Sequence, residues 1–244
     1  AQDRQNAERL SILSGRIVPS LGNLKNAAPP LPADPAALAA LKEQIGNRRV
    51  WLAASTHPGE EEPVFIAHRI LKAVSPNLVT VLAPRHPERG EEVAALAAEA
   101  GLRVARRSKG EAITGETDVY VADTLGELGL FYRLSDVAFV GGSITEKGGH
   151  NPLEPARLST AILHGPHVFN FTETYADMRA RLGAALVRNE RELAVAVERL
   201  LADATTRMAM ANAARIAAEA SGEQALNSVV AAIREALPER ALNA

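Results

Sequence analysis

Gly141-Gly142-Ser143-Ile144-Thr145-Glu146-Lys147-Gly148-Gly149-His150-Asn151-Pro152-Leu153-Glu154-Pro155 is the stretch that decides how this chain folds. The apolar run Val137 to Val140 feeds into it, and Pro152 opens a predicted short helix, Leu153 to Leu158. Glycines let a backbone approach a ligand closely, and free N–H groups at a helix start attract anions. Asn151 is a good N-cap and Pro152 suits a first helical turn. Glu154, one turn inside, is an acceptor suited to sugar hydroxyls. Strand, glycine loop and helix start in this order imply a site for phosphate plus ribose, hence for a nucleotide or a nucleotide-linked sugar.

Around this motif the chain alternates. Helices are expected over 36–45, 61–74, 88–100, 126–134 and 174–182, and strands over 49–54, 78–83, 102–105, 119–122, 137–140, 161–163 and 185–187. Apolar runs of this kind between helices mark strands buried on both faces, the signature of an α/β fold with a Rossmann-like, doubly wound parallel sheet. Upstream, 3–14 reads as a helix closed by Gly15, and Arg16 to Pro19 as a short strand. Pro29, Pro30, Pro32 and Pro35 mark a linker and the best domain boundary. From Glu190 to Leu237 almost every residue is a helix former, with breaks expected near Asp203 and near Ser221-Gly222.

Composition bounds the function. With 244 residues, 47% apolar and 23% charged, the chain reads as an ordinary globular protein. A net charge of −2 gives no general pull towards nucleic acid or anionic lipid, although the basic run Arg103 to Lys109 is a local exception. The absence of cysteine excludes disulfides and thiolate metal sites. No apolar run approaches the roughly 20 residues of a membrane-spanning helix. The first residues, Ala1 to Leu10, carry neither an initiator methionine nor an apolar signal core, and read as the interior of a longer protein or as a processed end.

In doubly wound sheets ligands bind outside the carboxyl ends of the strands, and polar clusters follow five of the expected strands here. Ser55-Thr56-His57-Pro58-Gly59-Glu60-Glu61-Glu62 offers phosphate donors and a histidine, although Glu61 and Glu62 equally suit plain first-turn carboxylates. Pro84-Arg85-His86-Pro87 presents a guanidinium on a stiff loop, suited to two-point contact with phosphate. Asp123-Thr124-Leu125-Gly126-Glu127-Leu128 exposes backbone N–H groups near a helix start, or simply caps that helix at Asp123 or Thr124. The glycine loop is the fourth cluster and His164 to Phe171 the fifth. The six histidines show no metal-ligand spacing. There is no nucleophile elbow, no phosphate loop ending in Gly-Lys-Ser/Thr, and no Gly-x-Gly-x-x-Gly opening the first strand–helix unit, which argues against a dinucleotide dehydrogenase.

Taken in order, these motifs resemble the bacterial 3-deoxy-D-manno-octulosonic acid (Kdo) transferases, GT-B glycosyltransferases of lipopolysaccharide biosynthesis. The resemblance is carried by Gly22 to Lys25, Ser55 to Glu61, Pro84 to Arg89, Asp123 to Leu128, Val140 to Ser143, Gly148 to Ala156, Gly165 to His167 and Asn170-Phe171. The run Gly148 to Ala156 is the most specific of them. The resemblance implies the C-terminal, donor-binding domain of a two-domain enzyme. Residues 1–28 would then end the N-terminal domain and its linker, and 29–244 would form the CMP-Kdo binding domain.

By the same resemblance, Arg85, His86, Leu125, Gly126, Glu127, Asn151, Pro152, Leu153 and Glu154 bind the nucleotide. Ser55, His57 and Glu60 face the donor sugar or the cleft. Leu125 departs from the family, in which many members carry methionine there. The resemblance further implies CMP-Kdo as donor substrate, no metal and no other cofactor, and no nucleic-acid partner. The acceptor is a lipid A precursor, reached with the catalytic base and any membrane attachment through the N-terminal half. The implied parent works at the cytoplasmic face of the bacterial inner membrane, and this piece is expected to be soluble and inactive alone. The alternatives left open are another GT-B enzyme, such as a UDP-sugar epimerase or transferase, and a non-catalytic nucleotide-binding module.

Overall fold

A computed structural model describes residues 1–237. The last seven residues of the expected 29–244 domain lie outside that range. The elements in chain order are α1 (Arg4–Ser14), α2 (Pro35–Ile45), β1 (Arg49–Thr56), α3 (Glu61–Val74), β2 (Leu78–Pro84), α4 (Gly90–Glu99), β3 (Val104–Arg106), β4 (Val119–Val121), α5 (Leu128–Leu134), β5 (Val137–Val140), α6 (Leu153–Arg157), β6 (Ala161–His164), α7 (Thr172–Ala180), β7 (Ala184–Leu186), α8 (Glu190–Ala202) and α9 (Ala204–Ala236). The chain divides into two compact units, one of Ala1–Pro29 with the residues from Ile216 onward, the other of Pro30–Arg215.

The larger unit holds a seven-stranded, all-parallel sheet in the order β3-β4-β2-β1-β5-β6-β7. Alternation along β1 explains its burial on both sides. Trp51 and Ala53 join Phe65, Leu71, Val93, Leu193 and Val197 from α3, α4 and α8. Val50, Leu52 and Ala54 join Leu41, Ile45, Leu130 and Phe131 from α2 and α5. The sheet therefore has a helical layer on each face, the α/β Rossmann-like architecture that the apolar runs predict. Strands are added to one side of β1 and then, from β5, to the other. The switch point lies between β1 and β5, so the crevice for a ligand opens where the loops after these two strands part.

Three local expectations are corrected. Arg16 to Pro19 forms no strand. Helix α5 starts at Leu128 rather than Gly126, because Gly126 adopts φ +79°, a left-handed turn conformation, and the Asp123 carboxylate turns to Ser108 and Arg106 instead of capping α5. The expected break at Asp203 separates α8 from α9, with the Asp203 side chain accepting from the Thr205 and Thr206 amides, but α9 runs without interruption through Gly222. A Cβ at Gly222 would stand 2.6 Å from the Asn26 carbonyl oxygen, so this glycine admits the 24–27 turn within the smaller unit rather than ending the helix.

Candidate functional site

The site is built on a bulge. The β1 register slips between Ala54 and Thr56, and Ser55 takes φ +56°, an uncommon conformation for a side-chain-bearing residue. The slip lets the end of β1 serve both neighbours: the Thr56 carbonyl accepts from the Arg85 amide at 2.9 Å and the Ala54 carbonyl from the Gly141 amide at 2.8 Å. The Ser55 carbonyl oxygen would lie 2.6 Å from a Cβ at Gly141. Close approach of the two strand ends thus requires Gly141 to be glycine.

Glu60 holds the glycine loop in place. The residue is fully buried. One carboxylate oxygen accepts from the His57 and Gly142 amides at 3.0 and 2.6 Å, and the other from the Ser143 and Ile144 amides at 2.9 and 2.8 Å. The Glu60 oxygens and the Gly142 to Ile144 amides are thus engaged with each other within the chain. The loop then closes on itself, with the Gly149 and His150 amides donating to the Gly142 and Gly141 carbonyls at 2.7 and 3.2 Å. Ser143 ties it to the end of β6, accepting from the Gly165 amide at 2.8 Å. Tyr175 of α7 donates its hydroxyl to the His150 carbonyl at 2.9 Å.

These constraints bring His57 and His150 together. Their Nε2 atoms are 2.9 Å apart and the rings are parallel to within 7°. The ring of His86 meets His57 edge-on, with centroids 5.8 Å apart. Burial pushes the His150 imidazole down to about 4, helped by His57, Arg85 and His86. Burial likewise lowers His57; Glu60 opposes this, while His86, Lys147 and Arg85 add to it. Both rings are neutral near pH 7.

At α6 the Asn151 side chain accepts from the Leu153 amide at 3.0 Å and donates to Glu154 at 3.4 Å. Pro152 and Leu153 are buried, and Pro152 has no N–H, so α6 offers a ligand fewer amide donors than its sequence implies. Burial raises the Glu154 carboxyl, against the pull of the Asn151 amide and the charges of Arg85 and Arg157. Arg85 and His86 are exposed beyond β2. Beyond β4, Leu125 and Gly126 are exposed, whereas Glu127 is engaged with Arg107 at 2.6 and 3.0 Å and with the Thr124 hydroxyl.

The crevice beside β1 and β5 therefore combines exposed cations (Arg85, Lys147), three histidines and one half-buried carboxylate, Glu154. Such a lining suits an anion carrying a hydroxyl-rich group. Two of its members lie outside the expected site: His150 sits inside the quoted motif, next to Asn151, and Lys147 inside the glycine loop. Beyond β4, Arg107 of the basic run is a further residue outside the expected site, identified by its contact with Glu127. No group of three or more potential metal ligands occurs among the described residues, and none of their helices is long and apolar enough to cross a membrane.

No family model matches the chain. It is 43% identical over 168 residues to the 3-deoxy-D-manno-octulosonic acid transferase of Haemophilus influenzae, which covers 68% of this chain and 39% of that protein. It is 42% identical over 178 residues to the enzyme of the same name from Bordetella pertussis, covering 69% of this chain and 40% of that protein. The chain thus spans less than half the length of these curated relatives. The crystal structure of the C-terminal CMP-Kdo binding domain of WaaA from Acinetobacter baumannii superposes with a TM-score of 0.71 at 34% identity, covering 75% of this chain and 96% of that one. The chain belongs to the 3-deoxy-D-manno-octulosonic acid transferase family of GT-B glycosyltransferases and matches its C-terminal domain.

Proposed function

We propose that this chain is the donor-binding part of a Kdo transferase, holding CMP-Kdo in the crevice beside β1 and β5 for transfer to a lipid A precursor. The observation that carries this reading is the convergence of Arg85, His57, His150 and Glu154 at the switch point of the sheet. In this reading Arg85 and His86 meet the phosphate of CMP and Glu154 accepts from the ribose hydroxyls. Leu125, Gly126 and Glu127 border the nucleotide, and Asn151 to Leu153 shape the wall through the backbone. Residues 1–28 belong to the end of the acceptor-side domain and its linker, and 29–244 to the donor domain.

In the transfer, the bond between the anomeric carbon of Kdo and the phosphate oxygen breaks, and an acceptor hydroxyl oxygen bonds to that carbon. The phosphate leaves with one more negative charge, which Arg85 is placed to stabilise. The hydroxyl proton passes to a base in the N-terminal half of the parent, which acts at the cytoplasmic face of the inner membrane. The chain by itself binds the nucleotide and turns nothing over. Calorimetric titration with CMP and with UDP tests the donor assignment. Preference for CMP is expected; preference for UDP would reassign the chain to a UDP-sugar enzyme.

A further inference from the structure

The contact between His57 and His150 limits what the two rings can carry. At an Nε2–Nε2 separation of 2.9 Å, one nitrogen holds a hydrogen and the other offers its lone pair. The neutral pair can accept one further proton on a remaining ring nitrogen and keep the contact, as an imidazolium donating to a neutral imidazole. A second proton would set two N–H groups against each other. The pair is therefore a one-proton store.

Its surroundings determine whether that store is filled. Arg85 and His86 face it from the loop after β2, and Lys147 from the glycine loop. Glu60 lies beside it from the loop after β1, but both its oxygens are taken by backbone amides. Tyr175, from α7, binds only the His150 carbonyl, and the charge of Glu154 on α6 acts against Arg85 and Arg157. Burial of the rings and the cations around them outweigh the Glu60 charge, which favours a proton on His57, and the pair rests empty. Lowered proton affinity at both histidines agrees with this arrangement.

We infer that the His57–His150 pair takes up one proton when a phosphate monoester enters the crevice, and so distinguishes released CMP from the phosphodiester donor. The inference rests on the proposed placement of the CMP phosphate. At the phosphate itself a monoester carries close to two negative charges near neutral pH and a diester one, the donor's second charge lying on the Kdo carboxylate, so a pair beside the phosphate is drawn to take a proton more strongly by the monoester. The two imidazoles then act on specificity: binding of the product depends on the proton available more steeply than binding of the donor.

Calorimetry of CMP binding at pH 7.5, in buffers of low and high ionisation enthalpy, reads this directly. At that pH free CMP is already the dianion, so net uptake must come from the protein. Net proton uptake, a fraction of one proton, is expected per CMP bound. None is expected with cytidine, and none in His57→Gln or His150→Gln protein that keeps the wild-type amide spectrum. CMP binding without uptake in the wild type would overturn the inference while leaving the proposed function standing. If CMP does not bind, the proposed function fails, and histidine NMR titrations with inorganic phosphate decide the inference. A rise of about one unit in the titration of the pair supports it, and an unchanged titration overturns it.

Discussion

Glu60 and Gly142 are 82 positions apart in sequence, and the carboxylate of the first accepts the amide of the second at 2.6 Å. The same carboxylate takes the amides of His57, Ser143 and Ile144, so one buried side chain fixes the loop after β1 and the loop after β5 to each other. The His57–His150 contact and the position of Asn151 depend on that clamp.

Glu60→Ala should therefore destabilise the protein by roughly 3 kcal/mol or more, because five amide donors, those of His57 and of Gly142 to Thr145, lose a charged acceptor in a site closed to water. Glu60→Gln, which keeps one acceptor oxygen, should cost less. Urea unfolding measures both, and equal stability of Glu60→Ala and the wild type would contradict the clamp.

Gly141→Ala should cost about 1–3 kcal/mol, since the new Cβ would meet the Ser55 carbonyl oxygen at 2.6 Å and neither backbone segment can yield alone. Gly115→Ala provides the comparison. Like Gly141 it lies outside the positive-φ region, but nothing stands within 4 Å of its Cβ. A difference in unfolding free energy between the two variants isolates the steric cost at Gly141.

Acid should weaken the fold through its buried histidines. Burial pushes His68 and His164 down to about 4, from 6.5 in an unfolded chain. A depressed folded value gives stability that is complete above the unfolded value and lost as pH falls from 6.5 towards 4. Each of these two residues should cost about 2 kcal/mol between pH 7.5 and pH 5. Urea unfolding at the two pH values checks the sum, and His164→Gln should shrink the difference. A stability unchanged between pH 7.5 and pH 5 would contradict the assignment.

Much of this was legible in the residues themselves. The buried strands announce themselves as apolar runs because both faces of a parallel sheet are covered, and the strand-end clusters followed from where such sheets bind ligands. What sequence could not show were contacts between distant positions. Glu60 reads as a loop carboxylate until Gly142 to Ile144 are seen around it. Gly222 reads as a helix break until Asn26 is seen against it. Asp123 reads as a cap until the Ser108 amide is seen to take its carboxylate at 2.8 Å. His150 was present in the motif, but only folding places His57 beside it.

The central claim is that the crevice beside β1 and β5 receives CMP. Calorimetric titration of CMP into the wild-type chain, Arg85→Ala and Glu154→Ala tests it most directly. Saturable binding is predicted for the wild type, with affinity reduced tenfold or more in each variant, as expected for loss of a charged hydrogen-bonding partner worth about 1.5–3 kcal/mol. Equal heats from all three proteins, or binding unaffected by either substitution, would contradict the account.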